Sequence, residues 1–231
     1  FSLNISWRKL DITSFYELYK TIKRVNPNIV QTWMYHANLV GSLIAKIAGE
    51  YSTIWCLHAA SIDTLSFKTK VISVFNSLIS YWLPTKIICV SSKTLQVHKQ
   101  WGYCANKLEL IYNGVDTNEF IPKIDSRAKI RKEWKVDNDT ILIGCIARWD
   151  HHKDHKTLLS CTKILEEKKI YNFKIVLVGD GMSWDNRRLS EMIINLKLNK
   201  CIILGGFRSD VSCLFPALDL NVLSSISEAF P

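Results

Sequence analysis

The sequence has no Cys-x-x-Cys pair, although it contains seven cysteines. Four of them, Cys56, Cys89, Cys145 and Cys201, lie in apolar runs typical of strands. An odd number of cysteines in such places argues against a disulfide framework and against a zinc site built on paired thiolates. We therefore expect buried free thiols in a reducing compartment, and hence a cytoplasmic protein.

Long apolar runs are also missing. The longest, from Val71 to Leu83, is interrupted by Asn76 and Ser77 and is shorter than the about 20 residues that a membrane-spanning helix needs. The chain begins at Phe1 and its first residues lack the charged, apolar and small-residue regions of a signal peptide. We expect no transmembrane segment, and we interpret both ends as cuts in a longer protein.

Acidic residues are fewer than basic ones, 21 against 30, which gives a net charge of +9. The basic excess is spread along the chain, with no basic block or basic-aromatic strip, so we expect no nucleic-acid partner. A diffuse positive field suits a phosphate-bearing substrate or an anionic membrane surface, although a merely solvated basic surface explains it equally well.

Strand-like apolar runs alternate with helical stripes through most of the chain, which predicts parallel sheets covered by helices on both faces. The rhythm breaks between Asn113 and Asp139 and then restarts. The sequence therefore predicts two Rossmann-like domains, residues 1–118 and 119–231, both incomplete. In detail, it predicts Asn38 as a helix cap and a last strand, Leu220 to Leu223, buried inside the second sheet.

Cationic side chains follow the predicted strand Ile141 to Ala147. Arg148 comes directly after it and Lys153 five residues later. Ligands of parallel α/β folds bind beyond the carboxyl ends of the strands, and a guanidinium with an ammonium suits a diphosphate. A pair of solvated loop cations is an equally good interpretation of these two residues alone.

Glycines and an arginine follow the next two strands. Gly179 and Gly181 allow close approach of a phosphate or nucleotide, but the third glycine of a dinucleotide fingerprint is missing and a plain turn is the favoured interpretation of this Gly-x-Gly alone. Arg208 is a candidate for a supporting role or for a surface charge. The triplet His151, His152 and His155 matches no standard zinc spacing, so we predict no metal site.

Histidines end two strands of the first half. His58 follows the run Ile54 to Leu57 and is placed to hydrogen-bond a phosphate or hydroxyl, while a satisfied core histidine is the alternative. His36 has the same two interpretations. Glu228, near the end of the chain, is a candidate sugar ligand or a helix-start carboxylate.

Taken together, the segments resemble the family 4 retaining glycosyltransferases, which have the two-domain GT-B fold. The matching segments are these: Gln31 to Asn38, Ile54 to His58, Cys89 to Ser91, Ile111 to Phe120, Ala147 to Lys153, Leu177 to Gly181, Leu204 to Asp210 and Ser225 to Pro231. The likeness covers nearly the whole chain, and the last segment resembles the start of the family's E-x7-E signature.

The resemblance implies two domains that face each other across a cleft, and it implies roles for the candidate residues. Arg148 and Lys153, with Gly179, Gly181 and Arg208, would bind the donor diphosphate. Glu228 would contact the transferred sugar, and His58 would contact the sugar or phosphate from the first domain. No cofactor or metal is expected, because cations neutralise the departing diphosphate.

The resemblance therefore implies a transferase that moves a sugar, with retention, from a nucleotide-diphosphate donor to a glycan or lipid-linked glycan. It is compatible with peripheral contact at the inner membrane face. The sequence departs from the family at Ala229, where glycine is usual, and it lacks the Gly-rich loop and the second glutamate. We expect residues 1–231 alone to associate and to be inactive.

Alternatives to this function remain at this stage. A GT-B nucleotide-sugar epimerase would need an acid–base set that the sequence does not reveal. A non-catalytic nucleotide- or glycan-binding module would bind donor without turnover. A basic nucleic-acid binder would show salt-dependent binding to unrelated duplexes.

Overall fold

The structure is a computed structural model that describes residues 12–61 and 65–229. It contains two compact units. The division falls between Asn113 and Gly114, the second unit ends at Ile226, and the chain from Ser227 onward is grouped with the first unit. This division lies a few residues before the predicted boundary after residue 118.

The first unit alternates helices and strands in the order that the sequence predicts. Its elements are α1 (Ile12–Val25), β1 (Ile29–Trp33), α2 (Tyr35–Ala48), β2 (Ser52–Leu57), α3 (Phe67–Ile79), β3 (Lys86–Cys89), α4 (Ser92–Gln100) and β4 (Leu108–Leu110). The strands form one parallel sheet in the order β1-β2-β3-β4. The predicted parallel α/β architecture of this half is confirmed.

The core of the first unit lies on one face of this sheet. Trp55, Leu57, Ile87 and Cys89 alternate along the central strands and pack with Tyr103 in one buried cluster. On the opposite face Cys56 is buried, but the other described side chains, such as Trp33, are exposed or half-exposed. For this sheet, the described helices therefore cover only one of the two faces that the sequence predicts to be covered.

The second unit repeats the alternation. Its elements are α5 (Ile124–Glu133), β5 (Ile141–Ile146), α6 (His155–Glu167), β6 (Phe173–Val178), α7 (Arg187–Asn195), β7 (Ile202–Gly206), α8 (Val211–Leu214) and β8 (Leu220–Asn221). Its strands form a second parallel sheet, in the order β7-β6-β5-β8.

Both faces of the second sheet are packed. Along β6, Ile175 and Leu177 belong to a cluster with residues of α6 and α7, whereas Val176 and Val178 belong to a cluster with residues of α5 and α8. The near-continuous apolar run of this strand reflects burial on both sides. For the second sheet, the predicted two-sided covering is confirmed.

Two local predictions are wrong. The last strand is shorter and less buried than predicted: β8 has two residues, pairs only with β5 among the described strands, and exposes 55% of Leu220. Asn38 does not cap a helix, because α2 begins earlier, after Met34. Asn38 instead lies buried inside α2, where a 2.7 Å hydrogen bond joins its amide to the Thr32 hydroxyl.

Candidate functional site

The carboxyl ends of the four strands of the second sheet lie along one edge, because the strands are parallel. Backbone hydrogen bonds tie the loops of this edge together. The Trp149 N–H donates to the Asp180 carbonyl at 2.7 Å, and the Gly179 N–H donates to the Gly206 carbonyl at 2.8 Å. Arg148, Lys153, Gly179 and Gly181 are therefore brought to one edge of one sheet, as the sequence predicts.

Arg148 presents its guanidinium to solvent, with 68% of the side chain exposed. Its Nε and Nη2 atoms each lie 3.3 Å from Oδ2 of Asp150. Asp150 also accepts the His152 N–H at 2.9 Å, and this bond together with Arg148 lowers the pKa of the Asp150 carboxyl. Asp150 thus stays ionised and orients Arg148, while the long, exposed pair leaves the guanidinium open to exchange for a phosphate.

Lys153 ends a short 3-10 turn, His151–Lys153, that precedes α6. The Ser224 hydroxyl donates to the Lys153 carbonyl at 2.8 Å, and the Ile226 N–H donates to the His152 carbonyl at 2.8 Å. The loop after β5 is therefore fastened to the segment after β8 as well as to the loop after β6. This fastening fixes the backbone from which the Lys153 side chain extends.

Gly179 and Gly181 occupy positions where a side chain does not fit. Gly179 has φ of 147°, and a Cβ there would lie 2.3 Å from the Ala147 carbonyl oxygen. Gly181 has φ of 75°, and a Cβ there would lie 2.8 Å from Cβ of Trp149. Both glycines are thus required by the close approach of the loops after β5 and β6, which is a stronger constraint than a plain turn.

Arg208 is engaged by two carboxylates of its own unit. Its Nε and Nη2 donate to the two Asp210 oxygens, each at 2.8 Å, and Nη1 donates to Glu133. The hydrogen bonds to Asp210 contribute most to raising the pKa of Arg208, and those to Glu133 add to it. Arg208 in turn lowers the pKa of the Asp210 carboxyl. Arg208 therefore joins the loop after β7 to α5, and its predicted contact with the diphosphate stays a prediction.

The histidines beside Lys153 do not converge. His155 is buried at the start of α6 and packs against Trp149, with 5.4 Å between ring centroids and the ring planes tilted by 31°, while His151 and His152 are exposed. Burial lowers the pKa of His155 and favours the neutral ring. Within residues 12–61 and 65–229, no cluster of three or more histidine, cysteine or acidic side chains is placed to hold a metal ion.

The first unit places its two predicted histidines beyond neighbouring strands. His58 follows β2 and His36 follows β1, and both rings are half-buried. Burial lowers the pKa of both rings, so each imidazole is neutral near pH 7 and able to accept as well as donate a hydrogen bond. The turn before His36 holds Met34 at φ of 72°, a conformation that favours glycine.

Glu228 lies in the segment after β8, two residues beyond Ile226, and its side chain is half-buried. It belongs to the stretch grouped with the first unit. Its predicted contact with a donor sugar stays a prediction, as does the facing arrangement of His58 and the cations.

Three residues of the edge were missed from the sequence. They are Trp149, Asp150 and Ser224, which pack against Gly181, orient Arg148 and fasten the Lys153 carbonyl. The sequence held a partial indication of Trp149 and Asp150, because a large aromatic residue and a carboxylate directly follow Arg148 in an otherwise polar loop. Ser224 had no comparable signal, because its partner lies far away along the chain.

Two family profiles match the sequence. The profile described as Glycosyltransferase Family 4 matches residues 3–119, and the profile described as Glycosyl transferases group 1 matches residues 126–231. Together they cover both sheets, and the residues between the two matches include the start of α5.

Curated relatives are similar over almost the whole chain. The UDP-Gal:alpha-D-GlcNAc-diphosphoundecaprenol alpha-1,3-galactosyltransferase of Escherichia coli is 25% identical over 99% of this chain and 59% of its own length. The N,N'-diacetylbacillosaminyl-diphospho-undecaprenol alpha-1,3-N-acetylgalactosaminyltransferase of Campylobacter jejuni is 28% identical over 95% of this chain and 58% of its own length. The chain thus spans less than two thirds of the length of these relatives.

A solved structure shares the fold. The crystal structure of Anabaena Alr3699/HepE in complex with UDP and glucose superposes with a TM-score of 0.82 and 22% identity, over 94% of this chain and 58% of that one. This likeness confirms the predicted fold of two parallel-sheet α/β domains. Among the described residues, no helix has the length and apolar character needed to cross a membrane.

Proposed function

The chain belongs to Glycosyltransferase Family 4, and from this premise we propose that the whole protein transfers a sugar from a nucleotide-diphosphate donor to a glycan or lipid-linked glycan acceptor, with retention of configuration. One observation supports the proposal most strongly: the exposed guanidinium of Arg148 lies with Lys153 at one edge of the second sheet. At the same edge, Gly179 and Gly181 leave no room for a side chain. A diphosphate is the donor group that such an edge suits best.

The donor diphosphate binds to Arg148 and Lys153 in this proposal. A phosphate oxygen takes the place of the Asp150 carboxylate as the acceptor for Nε and Nη2 of Arg148. The Lys153 ammonium supplies a second positive charge. Because the loops are already fastened by Trp149, Ser224 and their hydrogen bonds, little reorganisation is needed when charge develops on the leaving group. The same cations make a divalent metal unnecessary for turnover.

The transfer step breaks the bond between the sugar C1 and the diphosphate oxygen. The acceptor hydroxyl forms a new C1–O bond on the same face, and its proton passes to the departing phosphate oxygen, so configuration is retained. Glu228 contacts the transferred sugar, and the neutral ring of His58 hydrogen-bonds the sugar or phosphate from the first unit. These two roles rest on the match to the family's motifs.

A lipid-linked acceptor is proposed because of the relatives. The names of both curated relatives specify acceptors linked to undecaprenol through a diphosphate. An acceptor of that kind would bring the protein to the inner face of the membrane. We propose peripheral contact there.

The proposal is tested with the whole protein, a panel of nucleotide-diphosphate sugars and a polyprenyl-diphosphate-linked acceptor. We expect a glycosylated product from at least one donor, with the anomeric configuration of that donor in its proton NMR couplings. An inverted product would contradict retention. Binding without transfer or hydrolysis would favour a non-catalytic module, and release of an epimerised sugar without acceptor would favour an epimerase.

A further inference from the structure

Helix α3 of the first unit packs Ile72 and Ile79 against the buried cluster, and a polar stripe is buried beside them. Its buried residues are Ser73, Asn76 and Ser77, and buried Ser80 follows at the helix end. Their spacing of three and four residues defines a single stripe. Hydrogen bonds hold the stripe in place: Asn76 donates to the Tyr35 carbonyl at 2.7 Å, and Ser80 accepts the Cys104 N–H at 2.9 Å.

The outer side of the same helix is apolar. We call the following residues the apolar face: Phe67, Val71, Val74, Phe75, Leu78, Tyr81 and Trp82. Between 48% and 81% of each of these residues is exposed. Scattered exposed apolar residues are ordinary on protein surfaces, but a contiguous stripe along a helix marks a surface that another apolar phase covers.

The charged residues near the apolar face indicate which apolar phase covers it. Residues 65–82 contain two lysines, Lys68 and Lys70, and no acidic residue. At the other end of the helix the Lys107 ammonium donates to the carbonyls of Tyr81 and Pro84, at 2.8 and 2.7 Å. The apolar face is thus flanked by cations at both ends and has Tyr81 and Trp82 at one of them. Basic residues beside an apolar stripe with terminal aromatics are typical of helices that lie in the interface of an anionic bilayer.

We propose that the apolar face of α3 is the surface by which this protein docks on an anionic membrane. The inference rests on the proposed lipid-linked acceptor and deepens it, because it names the surface that brings the first unit to the lipid. A second copy of the chain fits less well, since two such faces packed together would bring like charges close to one another.

The position of the helix fits this role. A cavity of about 580 Å³ lies at the start of α3, with His36, Phe67, Lys68 and Val71 among its walls. His36 follows the carboxyl end of β1, where the predicted ligand histidines of the first unit lie. Docking through the apolar face would therefore hold this cavity at the level of the lipid headgroups, where the diphosphate of a lipid-linked acceptor is located.

The test is flotation of the whole protein with vesicles of phosphatidylcholine containing a third of phosphatidylglycerol, and with pure phosphatidylcholine vesicles. We expect binding to the anionic vesicles and much weaker binding to the neutral ones. The variant Val74→Ser/Leu78→Ser/Trp82→Ser, at exposed positions outside the cavity walls, should weaken binding at least about tenfold, because the contribution scales with buried apolar area. The control Ile164→Ser/Ile194→Ser, at similarly exposed sites of α6 and α7, should bind like the wild type.

A second pair of variants tests the charge. Lys68→Gln/Lys70→Gln should weaken binding to anionic vesicles by about fivefold per lysine at low salt. Lys93→Gln/Lys99→Gln, on exposed positions of α4, carries the same charge change and should have a much smaller effect. This pair keeps the inference testable if the triple variant does not fold.

Vesicle binding is measured without donor or acceptor, so its outcome is independent of transfer activity. Equal vesicle binding by the wild type and the triple variant would overturn the docking inference, as would a wild-type dimer that the triple variant converts to a monomer. Transfer to a short-chain soluble acceptor should survive in the triple variant. Loss of transfer in the wild type with every acceptor would instead overturn the proposed function and leave the docking result standing.

Discussion

The two sheets differ in how they are covered. The second sheet has an apolar cluster on each face, and its candidate site is fastened by hydrogen bonds within the same unit. The first sheet is covered by the described helices on one face, and its helix α3 turns an apolar stripe outward. The loop edge of the second unit is therefore held by contacts within that unit, whereas the described part of the first unit exposes the apolar side of α3.

The largest expected effect comes from forcing apart the loops that follow β5 and β6 in the second unit. Gly179→Ala would place Cβ against the Ala147 carbonyl at a φ that L-residues rarely adopt, so we expect a loss of about 3 kcal/mol or more of stability in the second unit. Hydrogen exchange should show deprotected amides in β5 and β6. Gly114→Ala, where no heavy atom lies within 4 Å of the added Cβ, is the control. Unchanged protection in Gly179→Ala would show that the edge is not rigid.

The next largest effect is expected from substitution of Asp219, which precedes β8 and connects it to the rest of the second unit. Asp219 accepts hydrogen bonds from Leu142 N–H, Arg127 and buried Arg131. Burial opposes ionisation, but these donors prevail and lower the pKa of Asp219. We expect Asp219→Asn to destabilise the second unit by about 2 kcal/mol at pH 7, the order expected for hydrogen bonds to a charged group.

The sign of the pH dependence follows from the lowered pKa. Asp219 contributes its full stabilisation above its unfolded pKa, and this is lost as the pH falls through its folded pKa. Urea denaturation between pH 7 and pH 3 should therefore show the wild type and Asp219→Asn converging in acid. Exposed Asp185→Asn serves as the control, and a constant difference between wild type and Asp219→Asn across this range would contradict the account.

A smaller effect sharpens the contrast in the first unit. Asn76→Ala removes the hydrogen bond to the Tyr35 carbonyl inside the unit, so we expect a loss of about 1–2 kcal/mol. Phe75→Ala, on the outward side of the same helix, should cost less than about 0.5 kcal/mol, since surface substitutions rarely cost more. Thermal unfolding of both variants measures this, and a larger loss for Phe75→Ala would mean that the apolar face is part of the core.

The smallest expected effect is on metal dependence. We predict that transfer by the whole protein proceeds at an unchanged rate in a chelator, because Arg148 and Lys153 neutralise the leaving group. Assays with and without excess chelator measure this directly. Loss of transfer that magnesium or manganese restores would show that the cations do not suffice.

The sequence predicted where the strands lie along the chain, because apolar runs such as Phe173–Val178 stop where polar loops begin. It also predicted that Arg148, Lys153, Gly179 and Gly181 share one sheet edge, since parallel strands place their carboxyl ends together. Their roles in binding stay predictions.

Tertiary contacts decided what the sequence could not. Among the described strands β8 pairs only with β5, and 55% of Leu220 is exposed. Asn38 looked like a cap because its partner Thr32 lies on a strand, outside the helix pattern. The burial of Ser73, Asn76 and Ser77 on the inward side of α3 was also hidden, because periodicity finds stripes without telling which of them faces inward.

Binding of a nucleoside diphosphate reports directly on Arg148 and Lys153. Calorimetry of the whole protein with UDP and GDP, and with the matching monophosphates, compares the wild type with Arg148→Ala, Lys153→Ala and the control Lys168→Ala at the exposed end of α6. We predict that each of the first two variants weakens binding of a nucleoside diphosphate by about 10- to 100-fold. Monophosphate binding should change less, and Lys168→Ala should match the wild type. Unchanged diphosphate affinity in both Arg148→Ala and Lys153→Ala would contradict the claim that this edge binds the donor.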